Sequence, residues 1–142
     1  SGNLDIANLQ KMYVEKYHHH ATKRWFETQM EPIWGIDVYS VPFDREKGFS
    51  IYKSPKADLL LIRLESLNEC APEAFNQFLG FEEFELVNAN IGEDKEYKDV
   101  YREFKEHPLP KDFVNEMYAS RFARHFYFEQ EIEEFKKRWL KS

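Results

Sequence analysis

The chain has 142 residues with a formal net charge of −6 at pH 7; 32% of its residues are charged and 17% are aromatic. These values exclude a disordered chain and indicate one packed domain with a charged surface. Because no basic patch precedes the C-terminus, the negative charge also excludes nucleic acid as a general partner.

The single cysteine and the short apolar runs indicate in which cellular compartment the protein is expected. Cys70 alone forms neither an intrachain disulfide nor a thiolate zinc site, which is typical of a reducing compartment. No apolar run reaches the roughly 18 residues of a membrane-spanning helix, and the first residues show no signal-peptide pattern. We therefore expect a cytoplasmic protein without a membrane span, in which residues 1–142 form a single α/β domain. Ser1 and Gly2 are interpreted as a cloning scar before a fragment of a longer chain.

A long amphipathic helix is predicted for residues 4–30. Aromatic and apolar residues recur at every fourth position between Tyr13 and Trp25, which is close to the spacing of one helix face. Pro32 and Gly35 are expected to end this helix.

A β-hairpin is predicted next, within residues 35–54. Two β-rich runs flank the polar loop from Asp44 to Gly48, and glycine can take the positive φ that closes such a turn. The second run, from Phe49 to Tyr52, is expected near an edge of the sheet.

The run ADLLLIRL predicts a strand that is covered on both faces. Residues 59–62 are all apolar, so a strand with one exposed face would leave two of these side chains in water. A helix is expected to follow, with Pro72 in its first turn, an inner stripe from Ala74 to Leu79, and Gly80 at its end.

The remaining chain is predicted to be mainly helical. A short strand or extended loop follows Phe81, and helices are expected over residues 97–107, 113–126 and 129–139. The predicted fold is therefore helix-rich α/β, with a small central sheet that contains one buried strand.

Four segments carry a resemblance to known proteins. The run LLLIRLESL followed by APEAFNQFLGF resembles a late core strand and helix in the C-terminal half of P-loop-like sulfotransferases. Glu65 and Leu67 match that motif, whereas Ser66 replaces the usual acidic residue. The segments WGIDVYSVPFDREKGFSIYK, NANIGEDKEY and RHFYFEQEIEEFKKRW resemble bacterial capsular polysaccharide synthesis proteins, a sulfotransferase-like group.

The resemblance implies a function in surface polysaccharide synthesis. Sulfotransferases move a sulfuryl group from 3′-phosphoadenosine 5′-phosphosulfate to a hydroxyl, often on a sugar, so a carbohydrate acceptor is the implied partner. Their Lys-Ser/Thr-rich loop for the 5′-phosphosulfate has no counterpart in this sequence. The chain is therefore expected to be a C-terminal portion that binds no cofactor and is inactive alone.

A second hypothesis is a non-catalytic α/β interaction module. In that case the domain packs against a partner chain or domain through aromatic stripes, and a homo-oligomer could form through the same exposed apolar surface.

The histidines of the first helix give one catalytic candidate. His18, His19 and His20 are adjacent and point about 100° apart on a helix, so they predict no metal site. His20 can share a face with Arg24 and Glu27, which would combine a base, a cation and a carboxylate. The alternative is that these three residues only stabilise the surface of the helix through contacts between successive turns.

Glu65 and a polar loop are candidate binding residues. Glu65 follows the apolar strand, where ligands collect in open α/β sheets, but it could instead pair with Arg63 or accept backbone N–H bonds. In the order of the resembling family, Asn88 and Asn90 follow the strand-helix block and can approach the nucleotide. A plain turn is the alternative for these two residues.

Three basic residues near the C-terminus suggest an anion site. Arg121, Arg124 and His125 lie on one predicted helix, and arginine offers a planar, two-pronged donor to sulfate, phosphate or an acidic sugar. The alternative is a solvated helix face whose cations suit the helix dipole.

Overall fold

The computed structural model describes residues 5–87 and 96–141, which form a helix-rich α/β fold with a two-stranded antiparallel sheet. The helices are α1 (Ile6–Lys16), α2 (His19–Lys23), α3 (Glu31–Trp34), α4 (Leu67–Leu79), α5 (Lys98–Glu106), α6 (Lys111–Tyr118), α7 (Arg121–Phe126) and α8 (Glu129–Leu140). The strands are β1 (Phe49–Lys53) and β2 (Asp58–Ile62). A π-helical turn (Phe26–Met30) and two 3-10 turns (Val38–Ser40 and Leu64–Ser66) complete the regular structure. The helix-rich α/β class is confirmed.

The prediction of one continuous helix over residues 4–30 is wrong. The chain is extended at Tyr17, and the His19 ring bonds through Nε2 to the Tyr13 carbonyl oxygen at 2.8 Å. A repeat of four drifts around a helix of 3.6 residues per turn, so Trp25 is exposed while Phe26 is buried.

The end of this region is partly as predicted. Pro32 lies in the first turn of α3 instead of ending a helix, a position where the missing N–H costs little. Gly35 ends α3 in the left-handed conformation with φ +70°, as the sequence predicts.

The predicted hairpin joins the wrong segments. Residues 38–40 form a 3-10 turn, because the Asp37 carboxylate accepts the Tyr39 N–H at 3.1 Å. Strand β1 pairs instead with β2, from Phe49 opposite Ile62 to Lys53 opposite Asp58.

The turn of the observed hairpin lies at residues 54–57. The Ser54 N–H donates to the Ala57 carbonyl at 2.9 Å, and the Ser54 hydroxyl accepts the N–H groups of Lys56 and Ala57. Serine and proline are common turn residues, so their presence between β1 and β2 favours the pairing of these two strands. Gly48 has the expected positive φ, at +81°.

Strand β2 is covered on both faces, but it is neither central nor fully buried. Leu59 and Leu61 pack against the main core, whereas Leu60 and Ile62 pack against a second cluster under α4. All four side chains are only half-buried, because β1 is the single strand that pairs with β2 in the described ranges. The prediction of one buried strand in a central sheet is therefore wrong.

Two separate clusters of buried residues lie on the two sides of the hairpin. The main core collects buried residues from the π-helical turn, the loop before β1, strand β1 and α7: Phe26, Met30, Ile36, Val38, Phe43, Tyr52 and Phe126. The smaller cluster contains Phe49, Cys70 and Ala74. The hairpin thus separates α4 from the main core.

Helix α4 begins earlier than predicted and ends where predicted. It starts at Leu67, so Pro72 lies inside the helix and not in its first turn. Gly80 ends it with φ +74°. Ala74 is fully buried, but Leu79 at the end of the predicted stripe is 54% exposed.

The C-terminal helices follow the predicted periodicity, with one interruption. Helices α5 and α8 are confirmed, whereas the helix predicted over residues 113–126 is divided into α6 and α7. The break occurs at Ser120, whose hydroxyl accepts the Ala123 N–H and caps α7.

Candidate anion-binding site

Helix α7 and the loop before β1 enclose an open cleft of about 590 Å³, here called the α7 cleft. Its walls include Tyr39, Asp44, Arg45, His125 and Phe128. The size is within the range of small-molecule sites, roughly 300–1,000 Å³. The side chain of Arg45 there reaches backbone carbonyl groups that are 79 to 80 residues away in sequence.

Short-range capping bonds give the loop wall its shape. The Asp37 carboxylate starts the turn that carries Tyr39. The Asp44 carboxylate accepts the Lys47 N–H at 3.0 Å, and the Asp44 N–H donates to the Ser50 hydroxyl at 2.9 Å. Acidic side chains at turn starts commonly make such bonds, and here they place Arg45 against α7.

Arg45 joins the loop to the end of α7. Its Nη2 donates to the Arg124 carbonyl at 2.7 Å, and its Nε donates to the His125 carbonyl at 3.2 Å. The guanidinium also lies 5.6 Å from the centre of the Phe128 ring. A cation at the C-terminal end of a helix stabilises the helix dipole, so Arg45 both positions α7 and brings a positive charge to the cleft.

His125 presents a neutral imidazole to the cleft. Burial lowers its pKa below the usual 6.5; a hydrogen bond to the Val38 backbone and the charge of Asp37 oppose this, while Arg45 and Arg121 add to it. The Nε2 atom is buried and has no hydrogen-bond partner in the described part of the chain. An unpaired buried nitrogen is costly.

Tyr39 lies against His125, with ring centres 5.0 Å apart. Its hydroxyl is likewise buried without a hydrogen-bond partner among the described residues. Burial raises the pKa of Tyr39, as does the charge of Glu27, while Arg121 lowers it. The phenol therefore stays neutral at pH 7, and two neighbouring rings each carry an unsatisfied polar atom.

Two of the predicted arginines meet at one carboxylate beside Tyr39. Glu27 lies 3.2 Å from Nε of Arg24 and 3.6 Å from Nη1 of Arg121. The Arg121 guanidinium also lies 4.2 Å from the Tyr39 ring centre. Both arginine side chains are 61% exposed, so these pairs add little stability and the cations remain accessible.

The structure leaves two predicted residues outside this cluster. Arg124 is exposed on α7, and it contributes its carbonyl oxygen to the bond with Arg45. His20 is exposed on α2, and no described residue pairs with its side chain. The predicted Arg24–Glu27 pair is present, but His20 does not join it.

Glu65 lies elsewhere, in the turn after β2. Both of its carboxylate oxygens are 3.1 Å from the Tyr127 hydroxyl. The predicted alternative of a pair with Arg63 is wrong, because Arg63 donates to both oxygens of Glu131, at 2.6 and 3.0 Å. Asn88 and Asn90 lie outside the described residues.

Sequence reasoning missed Tyr39 and Arg45. Both belong to the segment interpreted as a hairpin, and only the polar loop DREKG marked this region as exposed. No local pattern predicts that Arg45 reaches carbonyl groups on a helix near the other end of the chain.

The α7 cleft does not fit the phosphosulfate donor that the resemblance implies. Such a donor needs free cations and backbone N–H groups around adjacent anionic groups. Arg45 is already bonded to two carbonyl oxygens, and Asp44 and Glu46 bring carboxylates to the same wall. In residues 5–87 and 96–141, no group of three or more acidic, histidine or cysteine side chains could hold a metal ion.

Comparison with known protein families gives a match over most of the chain. A family model with the description "Putative capsular polysaccharide synthesis protein" matches residues 3–128, which include the whole hairpin and α7. No curated protein and no solved structure matches the chain. Within the described ranges, none of the helices has the length and apolar character needed to cross a membrane.

Proposed function

The chain belongs to the family of capsular polysaccharide synthesis proteins, and from this premise we propose that it is the sugar-acceptor part of a sulfotransferase-like protein. The α7 cleft binds the acceptor, a saccharide with an acidic group. The donor, 3′-phosphoadenosine 5′-phosphosulfate, is held by parts of the protein outside this chain.

The observation that carries the proposal is a pair of unpaired polar atoms on two rings that line the cleft. Nε2 of His125 and the hydroxyl of Tyr39 are buried without described partners, on rings that touch each other. Both atoms are shielded from solvent, so the proposal requires the Tyr39 and His125 side chains to turn toward the cleft when the sugar binds. Sugar hydroxyls both donate and accept hydrogen bonds, so they can then satisfy a bare imidazole nitrogen and a phenol together.

The charges around the cleft support an acidic group on the sugar. Arg24 and Arg121 share the single carboxylate of Glu27, so this group beside Tyr39 has one net positive charge, whereas Asp44 and Glu46 bring negative charge to the loop wall of the cleft. Arginine binds carboxylate and sulfate groups through two parallel N–H bonds. The acidic group is thus expected beside Arg121, with the ring hydroxyls toward His125.

Binding of methyl β-D-glucuronide to the labelled chain tests the acceptor site. We expect saturable NMR shifts at the His125 imidazole and in residues 121–126, and weaker binding of the uncharged methyl β-D-glucoside. Arg121→Ala should weaken glucuronide binding about fivefold, because it removes one charge-assisted contact.

The control is Lys56→Ala, which removes a cation from the exposed β1–β2 turn. It should leave the affinity for the glucuronide unchanged. Equal losses in Arg121→Ala and Lys56→Ala would show nonspecific attraction and contradict the acceptor site.

The proposal that the donor binds outside this chain has a separate test. Adenosine 3′,5′-bisphosphate should not bind this chain saturably, but it should bind a longer natural protein that contains the chain. Tight binding to residues 1–142 alone would contradict this part of the proposal.

A second candidate function is a non-catalytic interaction module. Four large apolar side chains between α2 and β1 are exposed: Trp25, Ile33, Trp34 and Val41 are 45 to 51% exposed. Apolar surface of this kind often marks a protein contact. Solution mass measured on dilution tests it: a dimer that persists and is lost in Trp34→Ser would favour the module.

A further inference from the structure

A second cavity, of about 440 Å³, is lined by residues of α1, α2 and α5 to α8 and shares no lining residue with the α7 cleft. Aromatic side chains dominate its wall; they include Tyr13, Phe104, Phe113, Phe135 and Trp139. This space is called the aromatic cavity below. Its size is within the range of ligand sites, roughly 300–1,000 Å³.

The aromatic cavity adjoins buried apolar residues of α6 and α7, since Val114 and Ala123 line it. The rings of Tyr13 and Phe104 contact edge to face at 5.7 Å, as do those of Tyr127 and Phe135 at 5.3 Å. Apart from Tyr127, which packs at the edge of the main core, these residues belong to neither buried cluster. The edge-to-face contacts between these rings leave a space that an apolar group can enter.

Charged groups of both signs lie at the edge of this cavity. The exposed Glu65 carboxylate is held by the Tyr127 hydroxyl, whose single proton leaves most of the carboxylate lone pairs unused. Arg138 lines the same cavity, and so does Lys23, whose Nζ is 3.7 Å from Glu116.

Burial raises the pKa of Tyr127 far above that of a free tyrosine, and the nearby Glu65 charge adds to this effect. Tyr127 therefore remains a hydrogen-bond donor across the physiological pH range. The Glu65 carboxylate keeps a defined orientation at the cavity mouth.

We propose that the aromatic cavity binds an amphiphilic glycoside, with its apolar tail among the rings and its sugar head between Glu65, Lys23 and Arg138. An apolar tail gains from leaving water in this space. A neutral polyhydroxyl head suits an edge of mixed charge, since hydroxyls donate to a carboxylate and accept from an ammonium or guanidinium group. An anionic head would meet the like charge of Glu65, and a cationic head would meet those of Lys23 and Arg138.

The test uses three probes with the whole chain: octyl β-D-glucopyranoside below its micelle concentration, methyl β-D-glucopyranoside and octan-1-ol. Octyl glucoside should bind saturably, with intermolecular NOEs from its alkyl chain to the rings of Phe113 and Phe135. Each of the other two probes should bind at least about tenfold more weakly, because it lacks the head or the tail.

Two variants test where the alkyl tail and the sugar head of octyl glucoside bind. Met117→Trp puts bulk into the cavity wall on α6 and should abolish octyl glucoside binding, while unfolding curves check that the variant folds. Glu65→Ala should weaken octyl glucoside binding about fivefold without changing the weak binding of octan-1-ol. Glu133→Ala, at an exposed carboxylate on α8, is the matched control and should have no effect.

Three results would overturn the proposal. Absence of NOEs to Phe113 and Phe135 would exclude the cavity, and equal affinities for octyl glucoside and octan-1-ol would exclude recognition of the head. Binding that survives in a folded Met117→Trp would place the ligand elsewhere. None of these results depends on the α7 cleft, because glucuronide binding and its Arg121 dependence should be unchanged in Met117→Trp.

Discussion

Arg63 and Glu131 form a two-pronged ion pair, with N–O distances of 2.6 and 3.0 Å, although 68 residues separate them. Arg63 follows β2 and its side chain is only 7% exposed, while Glu131 lies in the first turn of α8. Arg63 also donates to the Phe126 carbonyl at 3.1 Å. This pair therefore connects the hairpin with the last two helices.

Glu131→Gln should lower the free energy of unfolding by about 2 kcal/mol, because it leaves the buried Arg63 charge without its counterion. The value is below the ~3–5 kcal/mol of a fully buried pair, since Glu131 is 28% exposed. Urea unfolding at pH 7 measures the change. Glu133→Gln, which affects an exposed pair with Lys136, is the control and should change stability by less than about 0.5 kcal/mol.

The same pair should make stability fall in acid. Burial opposes ionisation of Glu131, but the hydrogen bonds from Arg63 and the Phe128 N–H, with the Arg63 and Arg45 charges, lower its pKa below the usual 4.5. A lowered carboxylate pKa stabilises the fold above the unfolded value, and this stability is lost as pH falls through the folded value. The difference in unfolding free energy between wild type and Glu131→Gln should therefore shrink as pH is lowered below 4.5. A difference independent of pH would contradict this assignment.

His125 should titrate below 6.5, since burial and the nearby cations Arg45 and Arg121 disfavour its charged form. As pH falls, His125 is therefore protonated at a higher pH in the unfolded chain than in the folded protein. Stability then decreases as pH falls from about 6.5 toward the folded pKa. NMR titration of the imidazole gives the midpoint, and His125→Gln should flatten the stability curve in this window. His18→Gln, at an exposed position, controls for the loss of one histidine. A midpoint above 6.5 would remove the neutral imidazole from the proposed acceptor site.

Gly48→Ala should destabilise the fold more than Gly80→Ala. Both glycines have positive φ, but a Cβ on Gly48 would overlap the Ser66 side chain, whereas one on Gly80 meets no atom within 4 Å. The left-handed conformation alone costs roughly 1 kcal/mol for alanine, and overpacking adds about 1–3 kcal/mol at Gly48. Thermal or urea unfolding measures both variants. Ser66→Gly should recover most of the added loss in Gly48→Ala, and a failure to do so would exclude the overlap as its cause.

Some features of the fold follow from signals that act over a few residues. Gly35 and Gly80 end helices because glycine takes a positive φ without a Cβ clash, and Ser120 shows how one hydroxyl begins a new helix. The periodicity of α5 and α8 was also sufficient to predict them. Capping and periodicity depend on near neighbours in the chain, so a sequence displays them directly.

Other features depend on residues that are distant in sequence. The four consecutive apolar residues of β2 showed that both faces would be covered, but not that β1 would be the strand beside it. The first helix is interrupted at Tyr17, where the His19 ring packs on Phe113 of α6 at 4.9 Å. A periodicity count within one segment contains no information about such a contact.

The candidate site was predictable only in part. Arg121 and His125 were found because they lie on one helix, but Arg24 joins them through Glu27 from the other end of the chain. Glu65, predicted as a separate binding residue after the apolar strand, lines the aromatic cavity.

The sequence by itself determined the family, the negative charge, the helix-rich α/β class and the ends of α3 and α4. Only the tertiary structure decided the partner of β2, the counterion of Arg63 and the position of Arg45 under α7. The reason is physical: helix ends and turns are set by bonds that span a few residues. The cleft and the ion pair instead need segments 60 to 80 residues apart to pack together, and that packing is decided by burial across the whole chain.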